Sequence, residues 1–444
     1  MNNESDRNVV SPIDARIGLS HGMLPANTPG KLWAVISLSA NKEVTGSTGS
    51  EPGSRRLPLN ISMVLDRSGS MRGNPIEQVK QAAKFLVEQM GAEDFASLTV
   101  FDSDVEVVFP SQHVTNKDLL KGAIELIRAN GSTNLSGGLL RGYAEALKEC
   151  RDGQVNRVML LTDGMANVGI TDSAALASKV HAMLEKNVSL STIGVGLNFD
   201  EDLLIAQAEA GNGSYYYVKD ADDIPGVFAT ELEGLLSVVA QGITLKVDGL
   251  SGCQVTAVYG YEPSFAGGGV SLSLPDMFAD EEKRLVIEFT YPALPAGDHP
   301  VMSMNLAYAD AMHGLANTSL GITATLTATA DASQPQEPDF DVLSVVEIAK
   351  TAMEKDEIAE VIDKGDYDDA RARLQERLTT LNDMKRSGRL AYSKPLNKEI
   401  DYLESMIGRL SEAPDAFTQS EMRKDLRSQS YRTRRNQGDY PGNN

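Results

Sequence analysis

Three oxygen-bearing side chains stand at alternate positions of one short turn, Asp66-Arg67-Ser68-Gly69-Ser70. The turn follows an apolar run typical of a strand buried on both faces, and it precedes a predicted helix. One carboxylate and two hydroxyls at this spacing can converge on a single point. Because all three donors are oxygens, they suit a small hard cation such as Mg²⁺ and disfavour zinc.

Two further oxygen donors follow predicted elements of the same kind. Thr133 lies in the loop NGSTNLSGG, and Asp163 directly follows the apolar strand RVMLLT. In an open α/β sheet, ligands bind in the crevice outside the carboxyl ends of the strands. We therefore expect a five-residue metal site with positions left for water or a ligand, made of Asp66, Ser68, Ser70, Thr133 and Asp163.

Other polar residues near these loops have simpler interpretations. Asp102 and Asp104 lie in FDSDVEV, where a solvated hairpin turn is expected. Asn134 and Asn167 flank the loops that carry Thr133 and Asp163, and we expect them to have backbone roles in the turns.

The surrounding chain falls into regions whose residue patterns predict different folds. Strands and helices alternate over 58–240, which predicts a doubly wound, mostly parallel α/β sheet covered on both faces. Residues 241–332 contain strand patterns with few helix formers, and they predict a β-sandwich-like domain. The N-terminal strands within 11–57 alternate at period two, so we expect residues 11–40 to pair with strands of 242–330.

The last hundred residues differ in composition from the rest. Residues 340–415 predict a helical domain, and 416–444 form a basic tail with six basic residues between Glu421 and Arg435. A flexible, solvated terminus is the simplest interpretation of this tail, and a nucleic-acid or membrane arm is the alternative. Attraction to the acidic body predicts loose docking. Order is expected around Leu426 and Tyr431, and disorder beyond about Asp439.

The five-residue pattern resembles the von Willebrand factor type A domain with its metal-ion-dependent adhesion site. The D-x-S-x-S motif of that family matches Asp66, Ser68 and Ser70. Its threonine matches Thr133 and its second aspartate matches Asp163, in the same order along the chain.

The resemblance covers roughly 58–240, and the flanking regions look like those of bacterial multidomain members. It implies that Ser68, Ser70 and, in some states, Thr133 bind the metal directly. It also implies that Asp66 and Asp163 act through water or hydrogen bonds. A carboxylate of a partner would supply a further ligand.

Together with the resemblance, these residues predict a non-catalytic, metal-dependent module that binds an acidic group of a protein partner. The cofactor would be Mg²⁺, with Ca²⁺ or Mn²⁺ as possible substitutes. The alternative is a metal-dependent hydrolase of phosphate esters. A phosphotransferase using Asp66 as nucleophile would want a second carboxylate where Ser68 stands, and no enzyme motif is found.

The composition of the chain bears on its binding partners and its cellular location. The 62 acidic and 41 basic residues leave a net charge of −21, which opposes nucleic-acid binding. Only Cys150 and Cys253 are cysteines, which indicates a reducing, cytoplasmic location. The N-terminus has no signal-peptide pattern, and no apolar stretch of about 18 residues predicts a membrane span. The oligomeric state stays open.

Overall fold

The computed structural model describes residues 11–41, 56–331, 334, 337–386, 393–410 and 414–441. Within them the chain forms an α/β region, a β-sandwich and a group of long helices. The first described elements are three strands, β1 (Ile13–Leu19), β2 (Met23–Pro25) and β3 (Gly30–Ala40).

The α/β region comes next and alternates strands with helices. Its elements are, in chain order, β4 (Leu59–Asp66), α1 (Asn74–Gln89), β5 (Phe95–Phe101), β6 (Val105–His113), α2 (Lys117–Glu125), α3 (Leu135–Ala146), β7 (Val155–Thr162), α4 (Ser173–Leu184), β8 (Ser189–Val195), α5 (Glu201–Ala210), β9 (Asn212–Val218) and α6 (Ile224–Leu236).

The sheet of this region has the strand order β6-β5-β4-β7-β8-β9, and every neighbouring pair is parallel except β5 with β6. All residues of β4 and β7 are buried, as expected of strands covered on both faces. Ile61 packs in a core with α1 and α6, whereas Val64 packs in a core with α3 and α5. The prediction of a doubly wound α/β sheet is confirmed.

The β-sandwich consists of two layers that include the N-terminal strands, and its strand pairs are antiparallel except for the parallel pair β2 and β17. Its further strands are β10 (Val238–Gly249), β11 (Gln254–Val258), β12 (Ser264–Ala266), β13 (Gly269–Leu274), β14 (Met277–Phe278), β15 (Glu282–Tyr291), β16 (Gly297–Asp310) and β17 (Ala316–Thr329).

One layer has the order β1-β3-β15-β11, and the other has β12-β13-β10-β16-β17-β2 with β14 beside β10. Strand β3 pairs with β15 from Ser39 opposite Glu282 to Gly30 opposite Tyr291. The expected pairing of residues 11–40 with strands of 242–330 is therefore confirmed. The reason is that the alternating side chains of β3 bury one face in the sandwich core.

Four long helices follow, α7 (Phe340–Asp363), α8 (Tyr367–Arg386), α9 (Lys394–Leu410) and α10 (Ala416–Arg435). They share a core in which residues such as Leu374, Leu403 and Leu426 are fully buried. Among the helices described, none combines the length and apolarity needed to cross a bilayer.

The basic tail is part of the packed structure. Helix α10 lies along α7 and also contacts α5 and β9. Leu426 and Tyr431 are 0% and 1% exposed, so the expected order around them is confirmed. A flexible, solvated terminus is wrong for the described part of the tail. Disorder beyond Asp439 is wrong at Tyr440, whose buried hydroxyl accepts a 2.9 Å hydrogen bond from Tyr217 N.

The charges of α10 are neutralised within the chain. Lys424, which is fully buried, lies 2.6 Å from the Glu201 carboxylate and donates to the carbonyl oxygen of Phe199 at 2.7 Å. The alternative of a nucleic-acid or membrane arm is disfavoured, because the basic side chains have carboxylate partners. Further pairs include Arg423 with Glu201, Arg427 with Asp202, Arg432 with Asp439, and Arg434 and Arg435 with Glu209.

Candidate functional site

The site begins where β4 ends, at Asp66, which is 0% exposed. Its Oδ1 accepts a 2.6 Å hydrogen bond from Ser68 N, which shapes the turn. Its Oδ2 accepts a hydrogen bond from the hydroxyl of Thr162, the last residue of β7. One carboxylate oxygen is thus engaged by the turn after β4 and the other by the end of β7, and Asp66 holds the turn in place.

The two serines of the turn extend this network toward Asp163. The hydroxyl oxygens of Ser68 and Ser70 are 3.1 Å apart, and Ser70 donates a 2.7 Å hydrogen bond to Asp163 Oδ1. A hydroxyl that gives its proton to a carboxylate can still offer a lone pair to a cation. Ser68 is buried, whereas Ser70 is exposed, so the network reaches the surface at Ser70.

Thr133 is brought to the same edge by its backbone. Its amide donates to Asn167 Oδ1 at 3.2 Å, and the amide of Asn167 donates back to the Thr133 carbonyl oxygen at 3.3 Å. A Cβ atom on Gly164 would lie only 3.0 Å from the Thr133 hydroxyl oxygen, which places that hydroxyl beside the loop after β7. The amide of Gly69 donates to the Gly131 carbonyl oxygen at 3.0 Å and joins the remaining pair of loops.

The five predicted residues are therefore gathered at one edge of the sheet, on three loops. Burial is the main cause that raises the pKa of Asp66 to about 6, and the nearby charge of Asp163 adds to it. Hydrogen bonds from Thr162 and Ser68 oppose this rise. Burial also raises the pKa of Asp163, against the hydrogen bond from Ser70. A cation bound beside these two carboxyl groups would stabilise their ionised forms.

Arg67 and Asp102 form a second layer behind the turn. Arg67 Nε donates to Asp102 Oδ2 at 3.0 Å, and its Nη1 donates to Glu106 Oε2 at 2.8 Å. The carbonyl oxygen of Asp102 also accepts from Asn134 N at 2.8 Å. The expectation of a solvated hairpin turn is wrong for Asp102, which is 7% exposed, because Arg67 and the loop that carries Asn134 cover it.

The donor set fits a hard divalent cation. Since both oxygens of Asp66 are engaged, hydroxyls are the donors best placed for direct coordination. In the described ranges, no group of three or more His, Cys, Asp or Glu side chains is arranged to hold a metal. Residue types and spacing did not single out Thr162 as a support of Asp66. Its place directly before Asp163 in the T-D-G at the end of a strand was the available signal.

A mostly parallel sheet with helices on both faces, and oxygen donors from three loops at its carboxyl edge, is the arrangement of a von Willebrand factor type A fold. The family model for the von Willebrand factor type A domain matches residues 60–230. The α/β region of this chain is therefore a von Willebrand factor type A domain.

Similar proteins include bacterial ones. YfbK of Escherichia coli is 32% identical over 44% of this chain, and sll0103 of Synechocystis is 29% identical over 72% of it. The aligned part spans 34% of YfbK and 78% of sll0103. A solved von Willebrand factor type A protein from Catenulispora acidiphila has a TM-score of 0.71 at 15% identity, covering 96% of this chain and 98% of that one. The fold shared with that protein therefore includes the sandwich and the helices as well as the α/β region.

Proposed function

We propose that this protein is a divalent-metal-dependent protein-interaction module. Ser68, Ser70 and Thr133 would hold Mg²⁺ directly, and Asp66 and Asp163 would orient the hydroxyls and bound water. Ca²⁺ or Mn²⁺ could take the same place, because the donors are all oxygens. The observation that carries the proposal is the continuous hydrogen-bonded network of oxygen donors across the ends of β4 and β7.

The ligand would be a carboxylate of a partner protein. Because the proposed direct donors are neutral hydroxyls, the metal would keep its attraction for an incoming anion, which can complete the coordination. The exposure of Ser70 and the half-buried position of Asp163 support access from the surface. The family match supports an interaction role for the domain.

A non-catalytic role is also favoured by the ion pairs of Arg67, the arginine within the motif. Arg67 is committed to Asp102 and Glu106, so it is not available to bind a transferred phosphoryl group. A reducing, cytoplasmic location stays a prediction based on cysteine content, and both cysteines are free thiols.

The proposal is tested by titrating the metal-stripped chain with MgCl₂ in a calorimeter. Asp66→Asn should abolish the binding heat, whereas Asp368→Asn, at a side chain that is 95% exposed, should leave it unchanged. A partner captured in Mg²⁺ should be released by EDTA and should not bind the Asp66 variant. Equal Mg²⁺ binding by wild type and the Asp66 variant would refute the proposed site.

A further inference from the structure

A groove of about 320 Å³ opens where the three regions of the chain meet. We call it the junction groove. Strand β11 and the loop after it form one wall, and α7, α10 and the end of α5 form the other. The lining residues that matter here are Val258, Tyr261, Phe265, Met353, Arg434 and Arg435.

Two large apolar side chains line this groove from opposite walls while facing solvent. Phe265 of β12 is 55% exposed and Met353 of α7 is 41% exposed. They belong to different regions of the chain, yet both border the same cavity. An apolar group placed between them would bury surface on both sides.

The edge of β11 offers backbone hydrogen bonds to the same groove. In the described structure β11 is the last strand of its layer, beside β15. The amide of Tyr259 donates to the Val286 carbonyl oxygen at 3.0 Å, so Tyr259 faces β15. Because successive residues of a strand direct their amides to opposite edges, the N–H and C=O groups of Val258 face the free edge. Farther along, Val255 N donates to the Gly268 carbonyl oxygen, which closes the edge there.

Two residues that line the groove, Tyr261 and Arg435, have buried polar atoms without hydrogen-bond partners. The Tyr261 hydroxyl and the Arg435 Nε atom are both buried without a hydrogen bond, and Tyr261 is 7% exposed. The Arg435 guanidinium lies 4.5 Å from the centre of the Tyr261 ring, and its Nη2 is 3.4 Å from Glu209. A buried donor left without an acceptor costs about 1–3 kcal/mol, so a ligand that brings an acceptor would be favoured.

We propose that the junction groove binds an extended peptide segment of a partner protein. The peptide would pair with the N–H and C=O groups of Val258 as an added strand. One apolar side chain of the peptide would lie between Phe265 and Met353, and a peptide carbonyl would accept from Tyr261 or Arg435. Main-chain bonds of this kind supply affinity, and the apolar pocket supplies specificity. The site is separate from the metal-binding edge and needs no cation.

In the test, phage-displayed random dodecapeptides are selected against the full chain in a buffer that contains EDTA. We expect enriched peptides to share an apolar residue at one position. A labelled synthetic copy should bind the wild type in a fluorescence-polarisation titration. Phe265→Glu and Met353→Glu should each weaken binding about tenfold or more, because each removes an apolar contact and buries a charge. Phe417→Glu, at a residue that is 64% exposed and outside the groove, is the control and should change nothing.

The two groove variants lie on separate elements, so a folding defect in one would leave the other as a valid test. Circular dichroism would detect such a defect. Methylating the peptide nitrogen that pairs with Val258 should also weaken binding. The proposal is overturned if selection yields no common sequence, or if both groove variants bind as tightly as the control. Because selection and binding are both carried out in EDTA, failure of Mg²⁺ binding would leave the result at the groove unaffected.

Discussion

The Ser70 hydroxyl donates a 2.7 Å hydrogen bond to the Asp163 carboxylate, across 93 residues of sequence. It thereby joins the turn after β4 to the end of β7. The same bond takes the Ser70 proton, so the Ser70 oxygen can still offer a lone pair to a cation. One contact thus serves both the shape of the site and its proposed chemistry.

Replacing Ser70 with alanine should weaken Mg²⁺ binding about tenfold or more while changing thermal stability little. Ser70 is exposed, and substitutions at such positions usually change stability by less than about 0.5 kcal/mol. Calorimetric titration and thermal melting would be measured on the same sample. Ser178→Ala, at an exposed hydroxyl of α4, is the matched control. A large drop in melting temperature with unchanged Mg²⁺ affinity would show that Ser70 is purely structural.

Asp66→Asn should remove Mg²⁺ binding and stabilise the metal-free fold at neutral pH. The pKa of Asp66 is about 6 in the folded chain and 3.8 ordinarily. Between these values the folded state holds a proton that the unfolded chain has lost, so stability falls as pH rises through this window. The loss is at most about 3 kcal/mol, at 1.36 kcal/mol per pKa unit, and asparagine avoids it.

Thermal melting in EDTA from pH 4 to pH 7.5 checks this expectation. The variant and the wild type should melt at similar temperatures near pH 4, and the variant should melt at a higher temperature near pH 7. A variant that is less stable than the wild type by the same amount at every pH would contradict the assignment of a buried, strained carboxylate.

Lys424→Met should destabilise the docking of α10 by about 3 kcal/mol. Lys424 is fully buried, and removing it leaves the buried Glu201 carboxylate with Arg423 and one cation fewer, and the Phe199 carbonyl oxygen without this donor. The loss of stability would be measured by urea titration, with the rate of proteolysis in the tail as the signal for undocking of α10. Adding Glu201→Gln should recover part of it. Arg386→Met, at an exposed pair with Asp383, should cost less than about 1 kcal/mol. Equal effects of the two single variants would argue against a buried pair.

Salt alone should not release the C-terminal tail. At about 1 M salt the Debye length is about 3 Å, which weakens exposed ion pairs but not apolar packing. Leu426, Tyr431 and Tyr440 bury apolar surface, so limited proteolysis should be slow at low and high salt. Tyr431→Ala should speed cleavage strongly, whereas Phe417→Ala should not. Rapid cleavage of the wild type in salt would mean that charge alone holds the tail.

The α/β fold and the residues of the candidate site could be predicted because their signals are local. Strands β4 and β7 are apolar throughout, and the turn from Asp66 to Ser70 carries its donors at fixed spacing. The support given by Thr162 to Asp66 could not be predicted in the same way, since it joins two strands whose neighbourhood in the sheet is a tertiary property.

The amino-acid sequence by itself determined where the oxygen donors stand and which strands are buried on both faces. These properties depend on residue type and short-range periodicity. Only the tertiary structure decided the place of the C-terminal tail. Its charges suggest a solvated arm, but Tyr431 and Tyr440 fit against β9 and bury surface that no local pattern reveals. Burial depends on complementary surfaces far apart in the chain, and charge composition does not encode that complementarity.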